Sequence, residues 1–142
     1  MTDIAFVLDP RLENDTFAIA DWPLCQVRLI KDARYVWLVL IPKRAGITEI
    51  IDLVPIDRVR LSAEIDRAAA GLKRSVPCDK LNIAALGNMV AQLHVHVIAR
   101  RKTDAAWPKP VWGLGNPEAY DDAELTALIT RLNVAFGADA RR

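Results

Sequence analysis

Two stretches in the first third of the chain have the residue pattern of paired strands. Leu24 to Ile30 and Tyr35 to Ile41 are rich in Val, Leu and aromatic residues, and a short polar segment connects them. This pattern predicts an antiparallel hairpin. Pro42 cannot donate a hydrogen bond to a strand ladder, so we expect the second strand to end there. Upstream, Ile4 to Leu8 has the composition of a short strand, whereas the polar residues 9–16 predict an irregular segment.

Apolar positions recur at helical spacing in two later stretches, which predict two helices. The first lies between Ile56 and Lys73, and Pro55 stands just before it, where a proline is tolerated. The second begins at Asp121 or Asp122 and ends at Gly137. The apolar stripes consist of Leu61, Ile65, Ala68 and Leu72 in the first helix, and of Leu125, Leu128, Ile129, Leu132 and Phe136 in the second.

Both histidines of the chain lie within residues 81–98. Leu81 to Leu86 is a nearly continuous apolar run, which is typical of a buried strand, and Gly87-Asn88 predicts a turn after it. In the strand that we expect next, Gln92 to Ile98, side chains alternate between two faces. We therefore expect a polar face of Gln92, His94 and His96 and an apolar face of Leu93, Val95 and Val97.

The order of these elements predicts an α+β fold, with an antiparallel sheet and two helices, at least one of which packs on a sheet face. At 142 residues, of which 52% are hydrophobic, the chain is long enough for a sizeable core. No linker, repeat or low-complexity segment interrupts the pattern, so we expect a single domain over residues 1–142. The region that contains the predicted hairpin, first helix and histidine strand is 24–101. A Trp- and Pro-rich segment with the second helix follows over 103–137.

Charge and the lengths of the apolar runs exclude several classes of function. Nineteen basic and eighteen acidic side chains leave a formal charge of +1, so no overall field attracts the protein to nucleic acid or to an anionic membrane. No apolar run is long enough to span a bilayer, and the N-terminal residues lack the features of a signal peptide. We therefore expect a cytoplasmic protein. Cys25 and Cys78 predict reduced thiols, since neither has a second Cys nearby.

Two histidines on one strand face permit a chemical and an incidental interpretation. They can be an exposed pair without a function, but the Gly-Asn turn before them and Gln92 beside them favour a phosphate site. Glycine in a turn lets backbone N–H groups approach a phosphate closely. A zinc ion needs more ligands than two histidines with no nearby Cys or carboxylate, so we predict no metal site and no required cofactor.

The sequence from Asn82 to Ile98 resembles the signature of the histidine triad family of nucleotide-binding proteins. In that family a Gly-polar-x-Val turn precedes His-φ-His-φ-His-φ-φ, where φ is a hydrophobic residue. The resemblance implies that this chain has the histidine triad fold. The matching positions here are Gly87-Asn88-Met89-Val90 in the turn and Gln92, His94 and His96 in the triad.

The family's chemistry implies a role for each matching residue. Its middle histidine attacks the α-phosphorus of a nucleotide and forms a nucleotidyl-histidine intermediate, which assigns the nucleophile to His94. Its third histidine, here His96, orients the site and hydrogen-bonds the phosphate. The residues that the resemblance implies as nucleotide or phosphate ligands are Asn82, Gly87, Asn88 and Met89, with Asp32 as a ligand of a ribose hydroxyl.

Three departures from the family pattern bear on activity. Gln92 replaces the first histidine and cannot deliver a proton near neutral pH, so a lost general acid would slow cleavage about a hundredfold to ten-thousandfold. Substrates with good leaving groups would be affected least. Met89 stands where some branches have a serine or threonine, so only its backbone can contact phosphate. Trp37 and Ala45 replace further histidines, which also argues against a metal site.

The resemblance implies a hydrolase or transferase that acts on the α-phosphate of nucleoside phosphoramidates or dinucleoside polyphosphates. Its partner would be a small-molecule nucleotide, and a homodimer is common in the family. One alternative is a non-catalytic purine nucleotide-binding module, motivated by Gln92. Another is a protein-interaction adaptor that uses the Trp-Pro segment 106–113. Independently of these alternatives, Trp107 and Trp112 are expected to be packing residues, and a second hypothesis is that they cover the nucleotide site of a partner subunit, as in one branch of the family.

Overall fold

The computed structural model describes residues 5–139, which form a five-stranded antiparallel sheet and three helices. The strands are β1 (Thr16–Asp21), β2 (Cys25–Ile30), β3 (Val36–Pro42), β4 (Lys80–Ala84) and β5 (Val95–Arg100), in the spatial order β1-β2-β3-β5-β4. The helices are α1 (Pro10–Asp15), α2 (Pro55–Ser75) and α3 (Asp122–Asp139), and a short 3-10 turn covers Ile50–Asp52. This architecture confirms the α+β class, with the short α1 in addition to the two predicted helices.

α1 lies in the region that the sequence pattern predicts to be irregular. Its cap is Asp9, whose carboxylate accepts a hydrogen bond from the backbone N–H of Arg11 at 2.9 Å. Pro10 follows at the helix start, where no backbone N–H is needed. The strand predicted before it is wrong for residues 5–8, which have no regular secondary structure, and Ile4 lies outside the described residues.

β1 follows α1, and its register explains why the sequence pattern does not reveal it. The pairing of β1 with β2 shifts between Ala18 and Ala20. The buried residues of β1 are therefore Thr16 and Ile19, which are not alternate positions. A strand whose burial does not follow a period of two cannot be recognised from alternating polarity.

One face of the sheet packs against α2 and α3 and forms the main hydrophobic core. Leu93, Val95 and Val97 point to this face, as predicted. The predicted helical stripes are also confirmed, because their members are buried in this core or packed against it. The buried members are Leu61, Ala68 and Leu72 of α2 and Leu128, Leu132 and Phe136 of α3.

The opposite face is covered by two irregular parts of the chain. Phe6 and Leu8 of the segment before α1, together with Leu12 of α1, pack against Val39 and Ile41 of β3. The segment before α3 packs with Ala106 and Val111 around aromatic and aliphatic side chains of β3 and β5. β5 is consequently buried on both faces along its whole length. The polar face that carries the histidines is therefore enclosed by protein rather than open to solvent.

β4 is an edge strand, and this corrects the prediction of a buried strand from Leu81 to Leu86. β4 pairs only with β5, and Ile83 is 49% exposed. The strand ends at Ala84, so that the connection to β5 runs over residues 85–94 and is much longer than the predicted two-residue turn. An apolar edge strand and a buried strand have the same composition, and the sequence does not separate them.

α2 is tied to β2 by one buried carboxylate. Glu64 is 8% exposed, and its two oxygens accept hydrogen bonds from the backbone N–H groups of Leu24 and Cys25, at 2.9 and 2.8 Å. These N–H groups stand at the start of β2 and would be buried without a partner if the carboxylate were absent. The contact therefore fixes the helix against the sheet in addition to apolar packing.

We expect Glu64→Ala to lower the free energy of unfolding by about 3 kcal/mol, because it leaves two buried N–H groups unpaired. Glu64→Gln should cost less, since one amide oxygen can still accept a hydrogen bond. Urea unfolding followed by tryptophan fluorescence measures both changes. Asp66→Ala, at an exposed position on the same helix, is the matched control and should change stability by less than about 0.5 kcal/mol. Equal losses in Glu64→Ala and Asp66→Ala would contradict the assigned role.

Candidate active site

The two histidines lie side by side at the start of β5. His94 directly precedes the strand, and His96 is its second residue, paired with Val39 of β3 and Ala84 of β4. The centroids of the two imidazole rings are 5.0 Å apart. His94 is 8% and His96 6% exposed, so both rings are held within the protein and present only part of their surface to a ligand.

A backbone hydrogen bond fixes the tautomer of His94. Its Nδ1 lies 2.7 Å from the carbonyl oxygen of Gln92. A carbonyl oxygen only accepts, so Nδ1 carries the proton and donates it. The lone pair of the neutral ring is then on Nε2, which is the atom that can act as a nucleophile.

His96 has the opposite arrangement of proton and lone pair. The indole Nε1–H of Trp37 donates to His96 Nδ1 at 2.9 Å. Indole nitrogen is a donor only, so Nδ1 is the acceptor and the ring proton of His96 is on Nε2. The site thus has an unprotonated Nε2 on His94 beside a protonated Nε2 on His96.

The His96 ring is held in an aromatic enclosure. The indole rings of Trp37 and Trp112 lie with their centroids 5.7 and 5.1 Å from the imidazole centroid. This burial lowers the pKa of His96 to about 4, and the charge of the nearby His94 contributes in the same direction. His96 is therefore a neutral hydrogen-bond donor at physiological pH.

The connection between β4 and β5 forms one wall of the space beside His94. Gly87 has φ of +80°, a conformation that side chains with a Cβ atom rarely adopt. Among the described residues, the backbone N–H groups of Gly87, Asn88 and Met89 have no hydrogen-bond partner. A cavity of about 280 Å³ lies here, lined by residues 48–51, 85–87, Leu93 and His94. Its walls thus combine a candidate nucleophile with a loop that offers backbone donors nearby.

The side chain of Gln92 does not extend into this cavity. Its amide oxygen accepts a hydrogen bond from the backbone N–H of Asp9, and its amide nitrogen donates to the carbonyl oxygen of Val7, both at 2.8 Å. Gln92 thus has two roles that belong to different parts of the residue. Its backbone orients His94, and its side chain holds the segment that precedes α1.

Asp32 and Asn82 do not line the cavity beside His94, and both have partners within the protein. The Asp32 carboxylate accepts hydrogen bonds from the backbone and the guanidinium of Arg34, and these bonds hold the pKa of Asp32 below its usual value despite burial. Asp32 lines a second, larger cavity of about 570 Å³, between the end of α1 and the segment 111–117. The Asn82 oxygen accepts a hydrogen bond from the buried Arg100 at 2.8 Å.

Three residues near the histidines, Trp37, Asp9 and Arg11, are not predicted from the sequence to belong to the site, whereas Trp112 is one of the two tryptophans considered above as a cover of a nucleotide site. Trp37 and Trp112 contact His96, and Asp9 and Arg11 are joined to the β4–β5 connection through Gln92 and Met89. Trp37 carries a signal in the sequence, because the resemblance described above implies a histidine at this position. Asp9 and Arg11 come from a segment remote in sequence and give no local signal.

The described residues contain no group of three or more His, Cys, Asp or Glu side chains placed to hold a metal ion. The two histidines are instead occupied on their Nδ1 atoms by Gln92 and Trp37. In the part of the chain that the structure describes, no helix has both the length and the apolarity needed to cross a bilayer.

We expect His96 to titrate near pH 4, below its ordinary pKa of 6.5. Because the folded-state pKa is the lower one, the neutral ring contributes its full stability above pH 6.5. That contribution falls as the pH drops from 6.5 towards 4 and then levels off, with a total of about 3 kcal/mol. Proton NMR of the two imidazole rings measures the titration. The imidazole signals that remain in His94→Asn are those of His96, because the chain has only these two histidines.

Trp37→Phe tests whether the Trp37 hydrogen bond lowers the pKa of His96 in addition to burial. The substitution removes the N–H that occupies His96 Nδ1, so the protonated ring is less disfavoured and the pKa of His96 should rise. Trp107→Phe is the matched control, because Trp107 stacks near Arg100. An unchanged pKa in Trp37→Phe, or the same rise in both variants, would refute this contribution of the Trp37 hydrogen bond.

Comparison with known proteins places this site in a family. The pattern that defines the HIT domain matches residues 11–103. The chain is similar to a histidine triad protein from Bradyrhizobium japonicum, with 51% identity, a TM-score of 0.92 and coverage of 94% of this chain and 99% of that one. It is also similar to histidine triad proteins from Sinorhizobium meliloti (48%, TM-score 0.90, coverage 92% and 96%) and Marinobacter aquaeolei (37%, TM-score 0.91, coverage 94% and 98%).

A comparison with curated protein sequences gives no match. The HIT domain pattern nevertheless covers more than half of the chain, including the β4–β5 connection and both histidines. The similar solved structures extend over nearly the whole length of both chains. The chain therefore belongs to the histidine triad, or HIT, domain family.

Proposed function

We propose that the protein is a nucleotide hydrolase or transferase in which His94 Nε2 attacks the α-phosphorus. The observation that supports this most strongly is the pair of fixed tautomers. His94 Nδ1 lies 2.7 Å from the Gln92 oxygen and His96 Nδ1 accepts from Trp37 at 2.9 Å. A nucleophilic nitrogen and a neutral donor therefore stand next to each other, as an attack on a phosphate requires.

In the first step the lone pair of His94 Nε2 forms a bond to phosphorus, and the bond from phosphorus to the leaving group breaks with its electron pair on the leaving group. The ring becomes positively charged, and the hydrogen bond from Nδ1 to the Gln92 oxygen stabilises that charge. His96 Nε2–H and the N–H groups of the β4–β5 connection donate to the non-bridging oxygens. This step yields the nucleotidyl-histidine.

In the second step water attacks phosphorus and gives up its proton to solvent. The bond from phosphorus to Nε2 breaks, and the imidazole leaves as the neutral ring with Nδ1 still protonated. A good leaving group of this kind needs no further proton, so the second step requires no acid. A different acceptor in place of water makes the reaction a transfer. The nucleophile and the donors all come from the protein, so the proposed reaction requires no cofactor.

Two cavities support a nucleotide as the substrate. We infer that the phosphates bind beside His94, in the cavity of about 280 Å³. We infer that the nucleoside binds in the cavity of about 570 Å³, where Trp37 and Trp112 offer aromatic surface and Asp32 and Lys31 offer polar groups. For Asp32 to bind a ribose hydroxyl, its carboxylate must share the hydrogen bonds that it now accepts from Arg34.

A non-catalytic purine nucleotide-binding module is the second candidate, and Gln92 is the observation that favours it. A glutamine amide does not protonate a leaving group, and the one in this chain is engaged by Val7 and Asp9. This candidate requires nucleotide affinity without turnover. A protein that has neither property would instead fit an adaptor role for the Trp-Pro segment 106–113.

We further propose a homodimer that forms through β4 and the start of α2. β4 has one side without a partner strand in the described residues. Several apolar side chains near this edge and at the start of α2 are 40–78% exposed, which favours an interaction surface. They are Ile50, Ile51, Val54, Ile56, Val59, Ile83 and Leu86.

We expect His94→Ala to reduce release of AMP from adenosine 5′-phosphoramidate and diadenosine tetraphosphate by at least about a thousandfold, since the nucleophile is lost. Chromatography of the released nucleotide measures the rate, and circular dichroism checks folding. An alkaline quench followed by mass spectrometry should show a nucleotide attached to His94. Equal rates in the wild type and His94→Ala would overturn the enzyme assignment, and nucleotide titration would then test the binding-module candidate.

Ile83→Asp should convert the dimer to a monomer, because a buried charge at a paired strand edge is costly. Sedimentation velocity over a range of protein concentrations measures the association state. Val134→Asp, at a position of α3 that is 70% exposed, is the matched control and should leave the dimer intact. A wild type that sediments as a monomer would refute the proposed dimer, and a dimer that persists in Ile83→Asp would refute its location at β4.

A further inference from the structure

The Gln92 side chain attaches the segment 7–11 to the β4–β5 connection. Both groups of its amide are used for this, in hydrogen bonds of 2.8 Å to Val7 and Asp9. The contact joins parts of the chain 83 and 85 residues apart. Because Gln92 also binds His94 through its carbonyl oxygen, the segment 7–11 is held at a fixed place relative to the candidate nucleophile.

This attachment brings a guanidinium to the phosphate-binding loop proposed above. Arg11 Nη1 donates to the carbonyl oxygen of Met89 at 2.9 Å, and its Nε and Nη2 donate to the two oxygens of Asp9 at 3.2 and 3.1 Å. Three of its five N–H groups are thereby used and its orientation is fixed. The Arg11 side chain is 62% exposed, so the remaining N–H groups can meet a ligand.

His94 and this pair are close enough to interact electrostatically. Hydrogen bonds from Arg11 lower the pKa of Asp9 most, and a positive charge on His94 lowers it further. Asp9 is therefore ionised, and its interaction with Arg11 is a pair of full charges. Three separate hydrogen bonds link the residues in sequence: Arg11 with the Asp9 carboxylate, the Asp9 backbone N–H with the Gln92 side chain, and the Gln92 carbonyl oxygen with His94.

The proposed reaction has a requirement that a guanidinium can meet. When the bond from the α-phosphorus to the leaving group breaks, the electron pair stays on the leaving atom. An amine must also gain a proton, which neither the amide of Gln92 nor the neutral His96 is suited to supply. A phosphate departs without a proton but gains negative charge, and a nearby guanidinium stabilises that charge through N–H donation.

We propose that Arg11 is a specificity-determining residue that binds the leaving phosphate, so that the site favours nucleotides with a phosphate or polyphosphate leaving group over phosphoramidates. This inference rests on the proposed function of His94. It assigns the side chain of Gln92 a positioning role, since Gln92 holds the segment that carries Arg11.

The test compares kcat/KM for diadenosine tetraphosphate, which releases a polyphosphate, with that for adenosine 5′-phosphoramidate, which releases an amine. Arg11→Gln should lower kcat/KM for diadenosine tetraphosphate about ten- to hundredfold, and kcat/KM for adenosine 5′-phosphoramidate by less than about threefold. Arg11→Lys should retain a higher kcat/KM for diadenosine tetraphosphate than Arg11→Gln, because lysine keeps the positive charge but not the paired N–H donors of the guanidinium. Arg131→Gln, at an exposed position of α3, is the matched control and should change neither value.

Gln92→Ala tests the positioning role and should show the same selective loss as Arg11→Gln. Equal losses for both substrates in Arg11→Gln, or no loss for either, would overturn the role of Arg11. A selective loss in Arg11→Gln without one in Gln92→Ala would overturn the positioning role.

A binding measurement separates this inference from the proposed reaction. In a His94→Ala background, calorimetric titration compares the affinity for ATP with that for AMP. Arg11→Gln should remove most of any preference for ATP over AMP, whether or not the wild type turns over. An absence of His94-dependent turnover overturns the reaction alone, whereas an unchanged ATP preference, or no binding of either nucleotide, overturns the role of Arg11.

Discussion

Burial of β5 on both faces is the constraint on which the candidate site depends. A strand enclosed in this way cannot leave its polar side chains to water, so buried ring nitrogens need partners within the protein. The Gln92 carbonyl meets this need for His94 Nδ1, and the Trp37 indole meets it for His96 Nδ1. These two hydrogen bonds satisfy buried atoms and at the same time decide which ring can attack and which can donate. Stability and reactivity thus follow from the same contacts.

The elements with strong periodicity could be predicted from the sequence. The hairpin of β2 and β3, both long helices and the apolar face of β5 follow from local patterns of apolar residues. The hairpin and the helices have nearly the expected bounds, whereas β5 covers Val95–Arg100 instead of the expected 92–98, so that Gln92 and His94 precede the strand. The errors occur where the pattern is broken or ambiguous. The register shift at Ala18 hides β1, and the apolar side chains of β4 do not show that it lies at the sheet edge. α3 also continues through Gly137 to Asp139, because a glycine near a helix end does not by itself stop the helix.

The candidate site was less predictable, since its geometry depends on contacts between distant segments. His94 and His96 are two positions apart in sequence, so their spacing could be interpreted directly. The partner of His96 comes from β3, and Arg11 reaches Met89 across 78 residues. The sequence also could not show that the side chain of Gln92 binds Val7 and Asp9. Its chemistry predicted only that Gln92 cannot donate a proton to a leaving group. Contacts of this kind depend on the arrangement of the whole chain rather than on local pattern.

A neutral His96 changes how the proposed site would bind phosphate. A protonated ring would attract any anion, and its attraction would act on the bound substrate as well as on the transition state. A neutral N–H and backbone donors interact more weakly with the ground state, and their contribution grows as charge builds on the phosphoryl oxygens. Formal charge is then best placed where new charge appears during the reaction, at the leaving group. Arg11, which lies outside the enclosed histidine pair and is largely exposed, meets that condition, whereas a charge at the position of His96 would have to be desolvated within the aromatic enclosure.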